Sequence, residues 1–152
     1  MAVDMDDFWV FGYGSLMWNP GFAFEDKMTA RAFGYRRSLC VRSYVHRGTP
    51  ERPGLVLGLD HGGSCRGMAF KVALKDKDDV IGYLRERELV THVYLERTMP
   101  VLLADGRRVA ALTYAIDRAH VQYAGALSAE DAAATVAVSH GKSGPNTDYL
   151  VN

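Results

Sequence analysis

Cysteine is scarce in this sequence, and neither sign of charge predominates. Cys40 and Cys65 are the only cysteines among 152 residues, and 18 Lys and Arg residues balance 18 Asp and Glu residues. The acidic start lacks the basic segment and apolar run of a secretory signal, so we expect free thiols in a reducing compartment and a cytoplasmic location. Because no basic stripe or block of like charge is present, we expect a small-molecule partner rather than nucleic acid or a membrane surface.

Long hydrophobic runs and clustered metal ligands are also missing. No apolar stretch approaches the ~20 residues that a membrane-spanning helix needs. The five histidines have no metal-ligand spacing with another His or Cys, so we expect no metal site.

The apolar content is sufficient for one core. Apolar residues make up 48% of the chain, and its length predicts a single domain over residues 1–152. Periodicity and turn residues predict many short strands and two helices, which together favour an α+β fold. The predicted strands cover residues 28–35, 37–43, 54–59, 64–74, 91–103 and 109–116, with a hairpin turn at 60–63 and helices at 76–88 and 128–140.

One stretch, FWVFGYGSLMWNP at residues 8–20, combines a buried strand with a glycine-rich bend. The bend leaves backbone N–H groups at a strand end, where they can bind an anion such as a carboxylate. A tight turn without a ligand fits the pattern equally well. Met17 stands where a dinucleotide fingerprint needs its third glycine. Ser15 directly follows Gly14 and is followed by Leu16, which does not fit the Gly-x-Ser-x-Gly of a nucleophile elbow, and no Gly-Lys-Ser/Thr triplet follows.

Four blocks in the same order resemble the ChaC-like γ-glutamylcyclotransferases. They are FGYGSLMWNP at 11–20, GYRR at 34–37 with HRG at 46–48 and PG at 53–54, YL at 83–84 with RE at 87–88, and GPNTDYL at 144–150. The resemblance implies the γ-glutamylcyclotransferase-like fold, a curved and barrel-like mixed sheet with packed helices. Residues 90–92 depart from the Gly-Gly-Tyr that the family commonly carries there.

The resemblance also implies the chemistry. The α-amine of a γ-glutamyl group attacks its own γ-carbonyl, which gives 5-oxoproline, and with glutathione the leaving group is Cys-Gly. No redox step or group carrier is involved, so we expect no cofactor. Because the attacking amine is tethered to the carbonyl, holding a bent conformer lowers much of the barrier.

Glu88 is the predicted proton shuttle, because burial would raise its pKa toward the useful range. From the residues alone, the run RERE at 85–88 reads as a solvated helix face with local ion pairs, and the family match favours the catalytic interpretation. Helical geometry places Glu88 on the face of Leu84, whereas Glu86 is rotated about 160° from Glu88. We therefore expect only one of the two carboxylates to face the pocket.

A set of predicted substrate-binding residues surrounds the glycine-rich bend and the end of the chain: Val10, Phe11, Gly12, Tyr13, Gly14, Ser15 and Tyr149. Backbone N–H groups of residues 12–15 would hold the α-carboxylate or the developing oxyanion. The Tyr149 ring either offers its hydroxyl to substrate or packs on the core. We expect an arginine at the glycyl carboxylate, and the sequence does not choose among Arg36, Arg37, Arg42 and Arg47.

Three other functions fit the same residues. The enzyme could act on other γ-glutamyl peptides or γ-glutamylamines, since substrate choice depends on pocket walls. The domain could bind a small acidic ligand without turning it over. A serine hydrolase would rest on Ser15 alone, and Ser15 is better explained as a hydrogen-bonding or turn residue.

Overall fold

The computed structural model describes residues 4–17, 19–44, 47–89, 94–125, 127–141 and 144–147. Five long strands and two helices are found there, together with two short 3-10 turns at Ser15–Met17 and Leu74–Asp76. The elements are β1 (Asp4–Gly12), β2 (Asp26–Ser43), β3 (Gly54–Val72), α1 (Lys77–Glu88), β4 (Tyr94–Leu103), β5 (Arg108–Ile116), α2 (Ala129–Val138), β6 (His140–Gly141) and β7 (Gly144–Pro145).

The five long strands close into a barrel in the order β1-β3-β2-β4-β5, and β6 and β7 form a separate two-stranded sheet. Strand β1 runs antiparallel to β3 and parallel to β5, and β2 runs antiparallel to β4. The sheet is therefore mixed and barrel-like, which confirms the predicted α+β fold class. Closure leaves no long strand with an unpaired edge.

The predicted hairpin turn at residues 60–63 is wrong. Strand β3 continues through this segment as one element from Gly54 to Val72. Gly62 and Gly63 both have positive φ, 97° and 76°, and they lie against the Arg36 side chain of β2. Two left-handed residues inside a paired strand act as an irregularity that bends the strand without reversing it. Gly34, with φ 87°, similarly lies inside the single strand β2, where two strands were predicted.

Both helices begin one residue after the predicted start, and α1 ends at Glu88 as predicted, whereas α2 ends early. Asp76 occupies the N-cap position of α1, yet its side chain makes no capping hydrogen bond. Ser128 does cap α2, because its Oγ accepts a hydrogen bond from the Asp131 N–H at 3.0 Å. Helix α2 ends at Val138, two residues before the predicted end, and His140 pairs with Pro145 instead.

Contacts divide the chain into two compact units. The first unit comprises Met1–Arg37 and Leu59–Ala115, and the second comprises Ser38–Gly58 and Ile116–Asn152. In the first unit, alternate residues of β1 enter two different apolar clusters, as expected of a strand that is buried on both faces. Trp9 and Phe11 pack in one cluster, and Val10 packs in the other with Leu84 of α1 and Tyr114 of β5.

The second unit is organised around a buried amide. Asn146 is completely buried, and its side chain hydrogen-bonds both backbone groups of Leu55: Oδ1 accepts from the N–H at 2.7 Å, and Nδ2 donates to the carbonyl at 2.9 Å. A Cβ on Gly54 would collide with the Arg47 carbonyl and lie 2.8 Å from Asn146 Oδ1. Gly54 of the second motif block and the Asn146 side chain of the last block therefore lie close together within this unit.

Candidate active site

The glycine-rich stretch forms the buried end of β1 and a sharp bend beyond it. Val10 and Phe11 are fully buried, and the Phe11 carbonyl accepts a hydrogen bond from Thr113 Oγ1 at 3.0 Å. After Gly12 the chain turns into the 3-10 turn at Ser15–Met17, where the Met17 N–H donates to the Gly14 carbonyl at 2.9 Å. The strand thus ends in a compact loop, which we call the signature loop (residues 12–17).

The two glycines of the signature loop have different structural roles. A Cβ on Gly12 would lie 2.7 Å from Leu16 Cβ, so a side chain there would displace the turn. At Gly14 nothing lies within 4 Å of a Cβ, and its φ is not in the left-handed region. Folding therefore explains the glycine at position 12 but gives no reason for the glycine at position 14.

Tyr13 attaches the signature loop to β5, the strand that runs parallel beside β1. Its ring is buried, with 8% of its surface exposed, and its hydroxyl donates a 2.7 Å hydrogen bond to the Tyr114 carbonyl on β5. This contact joins residues 101 positions apart in the sequence. Since the carbonyl is buried, the hydrogen bond fixes the loop in one position relative to β5.

Helix α1 contacts the segment that follows the signature loop through Tyr83 and Arg87, which lie four residues apart on one helix face. Arg87 Nη1 donates to the carbonyls of Asn19 and Pro20, at 2.7 and 3.0 Å, and to the Tyr83 hydroxyl at 3.1 Å. A Cβ on Gly21 would collide with that hydroxyl, and Gly21 has φ 75°. These contacts fix the chain directly after the signature loop against α1.

The next helix face carries Leu84 and Glu88. Leu84 is fully buried in the cluster with Val10 and Tyr114. Glu88 has 19% of its side chain exposed, whereas Glu86 is exposed, so the predicted difference between the two carboxylates is observed. Burial raises the pKa of the Glu88 carboxyl above its ordinary value, and the positive charge of Arg87, 3.7 Å away, partly offsets this shift.

A second carboxylate near Glu88 was not anticipated from the sequence. Glu96 of β4 accepts a hydrogen bond from the Tyr114 hydroxyl at 2.9 Å and two from Arg85 of α1, at 3.1 and 3.0 Å. The hydrogen bond from Arg85 is the main reason that the pKa of Glu96 is lowered. Burial, Glu96 and the charge of Glu88 raise the pKa of Tyr114, so its hydroxyl remains protonated at neutral pH.

Together these groups can perform acid–base chemistry beside a loop suited to an anion. Glu88 is a carboxyl with a raised pKa, and its charge in turn raises the pKa of Tyr114. The backbone carbonyl of Tyr114 is the group that accepts the hydrogen bond from Tyr13. No spacing rule predicts the roles of Glu96 and Tyr114, because they lie on separate strands. Strand alternation could have indicated only that Tyr114 shares a face with Leu112.

Some predicted site residues have side chains that pack in the core, and one lies outside the described residues. The side chains of Val10 and Phe11 are enclosed in the core, so any contact that they make with substrate is through the backbone. Tyr149 lies outside the described residues, as do His46 and residues 90–93. The proposed substrate-binding role of the signature loop and the catalytic role of Glu88 stay predictions.

Within the described part of the chain, no group of three or more His, Cys, Asp or Glu side chains is arranged to hold a metal ion. Among the same residues, no helix has the length and apolar content to cross a bilayer.

The chain matches the family model for ChaC-like protein over residues 8–152, and it belongs to that family. It is 36% identical over 142 residues to the glutathione-specific gamma-glutamylcyclotransferase of Escherichia coli K12, a match that covers 93% of this chain and 62% of the relative. It is 32% identical over 152 residues to human glutathione-specific gamma-glutamylcyclotransferase 1, with 97% of this chain and 68% of the relative covered. The chain thus spans less than two thirds of the length of the E. coli relative.

A solved structure supports the fold. The yeast gamma-glutamyl cyclotransferase specific to glutathione, in its selenomethionine-labelled form, superposes with a TM-score of 0.83 at 23% identity, over 95% of this chain and 84% of that one. The resemblance noted in the sequence is therefore confirmed for both the family and the fold.

Proposed function

We propose that this chain is a γ-glutamylcyclotransferase that cleaves glutathione to 5-oxoproline and Cys-Gly. The observation that carries the proposal is Glu88, a largely buried carboxyl with a raised pKa on the helix that anchors the segment after the signature loop. A general base is most effective when its pKa lies near the working pH. Membership of the ChaC-like family, and its similarity to the glutathione-specific relatives from E. coli and human, support glutathione as the substrate.

The reaction is an intramolecular aminolysis. The α-amine nitrogen of the γ-glutamyl group forms a bond to its own γ-carbonyl carbon, and the bond from that carbon to the cysteinyl nitrogen breaks. Two protons pass from the attacking nitrogen to the leaving nitrogen, and Glu88 accepts and returns them. The balance needs no oxidant, water or cofactor, and closure of a five-membered ring in a bent substrate gains from proximity.

Backbone N–H groups of the signature loop bind the substrate's α-carboxylate or the developing oxyanion in this proposal. The Tyr13 hydrogen bond to Tyr114 and the tight contact of Gly12 with Leu16 support it, because they hold the loop in a fixed shape. A preorganised loop does not have to reorganise as charge develops. Tyr149 completes the set of predicted substrate contacts.

Gly14→Ala tests the loop. Because a Cβ at this position meets no atom of the protein, we expect an unchanged melting temperature. We expect KM for glutathione to rise roughly tenfold, about the loss of one hydrogen bond to a charged group, since the methyl group obstructs the approach of the carboxylate. Steady-state kinetics and thermal unfolding measure the two effects, and an unchanged KM would remove Gly14 from the binding surface.

Arg87 provides a test through pH. A base works when deprotonated, so the raised pKa of Glu88 places the acid limb of kcat/KM above the ordinary pKa of a glutamate. Arg87→Gln removes the charge that lowers the pKa of Glu88, so we expect the acid limb to move to higher pH. Arg87→Lys keeps the charge and is the control. A limb that stays in place in Arg87→Gln, or moves to lower pH, contradicts the assignment of Glu88.

A substrate panel separates glutathione from the alternatives. Release of 5-oxoproline is measured with glutathione, γ-glutamyl-alanine and a γ-glutamylamine at equal concentration. A clear preference for glutathione supports the proposal, and equal rates on γ-glutamyl-alanine would refute the specificity. Tight binding of glutathione without release over hours would indicate the non-catalytic binding function instead.

The remaining expectations accompany this proposal. We propose that the chain works as a single domain in the cytoplasm, where a reducing environment suits the free thiols of Cys40 and Cys65. The expected lack of a cofactor follows from the balance of the reaction.

A further inference from the structure

Arginine residues near the signature loop differ in what their charge meets. Arg36 forms an ion pair with the buried Asp60 at 3.8 Å and donates to the His61 carbonyl, so its charge is used within the fold. Arg87 pairs with Glu88, and Arg85 pairs with Glu96. Arg37, which belongs to the same unit, pairs with no carboxylate among the described residues.

Arg37 lies directly against the signature loop. Its Nη2 contacts Met17 Sδ at 3.5 Å, and Met17 closes the 3-10 turn on Gly14. The same Nη2 donates a 2.6 Å hydrogen bond to the Arg66 carbonyl of β3. The residue after Arg66 is Gly67, which packs against the Gly12 carbonyl and the Phe11 ring. Arg37 is therefore fixed both to the signature loop and to β3, the strand beside the end of β1.

The guanidinium of Arg37 also remains accessible. The residue is exposed, and both of its hydrogen bonds use Nη2. Its charge acts locally, since it lowers the pKa of the Cys65 thiol against the larger upward effect of burial. A guanidinium that is held in place but not neutralised is suited to bind a carboxylate, here through the N–H groups of Nη1, because those of Nη2 are directed to Met17 and Arg66.

The dimensions suit one end of the proposed substrate. An extended dipeptide spans about 7 Å, which sets the distance from the γ-carbonyl of glutathione to its glycyl carboxylate. A 3-10 turn rises about 2 Å per residue, so Met17 lies within about 6 Å of Gly14 along the turn. A substrate whose γ-glutamyl group binds the loop amides would thus extend its dipeptide over the distance to Arg37.

We propose that Arg37 binds the glycyl carboxylate of glutathione and is a specificity-determining residue of the enzyme. The inference rests on the proposed function, because it assigns the dipeptide end of the same substrate. It explains how the site would favour a peptide with a free carboxyl terminus over a γ-glutamylamine, which has none. Among the described residues, no Asp or Glu side chain forms an ion pair with Arg37 that would compete with the carboxylate of the substrate.

The test compares two substrates that differ only at the glycyl carboxylate: glutathione and its glycine monoethyl ester. In Arg37→Gln we expect kcat/KM for glutathione to fall about tenfold to a hundredfold, chiefly through KM, as for the loss of hydrogen bonds to a charged group. We expect kcat/KM for the ester to stay within about twofold of the wild-type value. Arg37→Lys, which keeps the charge but not the planar guanidinium, should give an intermediate loss with glutathione.

Arg66→Gln is the matched control, because it removes an equal charge from an exposed neighbour and keeps the backbone carbonyl that Arg37 uses. We expect both substrates to be affected equally and weakly in this variant. Equal losses on both substrates in Arg37→Gln, or no loss on either, would overturn the assignment of Arg37. A wild-type protein that releases no 5-oxoproline from glutathione would instead overturn the proposed function itself.

Discussion

Glu88→Gln is expected to lower kcat for glutathione by about a hundredfold to ten-thousandfold, the usual contribution of a positioned general base. Glutamine preserves the size of the side chain but cannot accept the proton of the substrate ammonium. Residual turnover would come from substrate positioning by the signature loop. Glu86→Gln is the matched control, since Glu86 is the exposed acid on the same helix, and we expect it to keep wild-type activity.

The same substitution should make the protein more stable at neutral pH. The folded state raises the pKa of Glu88 chiefly through burial, so the ionised carboxylate destabilises the fold at any pH above that pKa. Glutamine carries no charge, so we expect a higher melting temperature than wild type at pH 7. The gain should disappear at acid pH, below the ordinary pKa of glutamate, where Glu88 is protonated in both states. An inactive variant with a lower melting temperature at pH 7 would mean that unfolding, not loss of the base, explains the inactivity.

Gly67→Ala is expected to destabilise the fold by about 1–3 kcal/mol, the usual effect of inserting a methyl group into a packed region. A Cβ on Gly67 would collide with the Gly12 carbonyl and lie 2.7 Å from Phe11 Cζ. Since neither atom belongs to a flexible side-chain tip, the end of β1 must shift. Because that shift moves the signature loop, kcat/KM should fall as well.

Gly82→Ala is the control for this experiment. Gly82 is an exposed residue of α1, and a Cβ there meets nothing within 4 Å. Replacing a mid-helix glycine by alanine usually stabilises a protein by about 0.5–1 kcal/mol. Chemical unfolding and steady-state kinetics of the pair should therefore show opposite changes in stability. A Gly67→Ala protein with wild-type stability and activity would contradict the close packing of β3 on the end of β1.

Local patterns were enough to predict the elements that carry the site. An apolar run followed by glycines identified the buried end of β1 and its bend, and helical spacing correctly separated Glu88 from Glu86. The Ser128 cap also formed as predicted, because a cap depends only on residues three positions away. These features are local, so a single sequence contains the information that decides them.

The hairpin prediction at residues 60–63 failed for a different reason. An Asp-His-Gly-Gly segment favours a turn in isolation, but β3 continues as one strand from Gly54 to Val72 through both left-handed glycines. Whether such glycines reverse a chain or only bend it depends on which strands lie beside it. Local turn chemistry does not contain that information.

The unanticipated groups all depend on contacts between distant residues. Glu96 meets Tyr114 across 18 positions, and Asn146 meets Leu55 across 91 positions. In each case the role of the residue depends on a partner that is distant in the sequence. The charge of Arg37 is a similar example, because only the structure shows that its neighbour Arg36 pairs with the buried Asp60 whereas Arg37 contacts the signature loop.

Product analysis tests the central claim most directly. Wild-type protein is incubated with glutathione, and 5-oxoproline, glutamate and Cys-Gly are quantified over time. We predict equal amounts of 5-oxoproline and Cys-Gly with no glutamate, because the substrate's own amine is the attacking group. Glutamate and Cys-Gly in equal amounts would show attack by water, and would contradict the cyclotransferase assignment even though the same bond is broken.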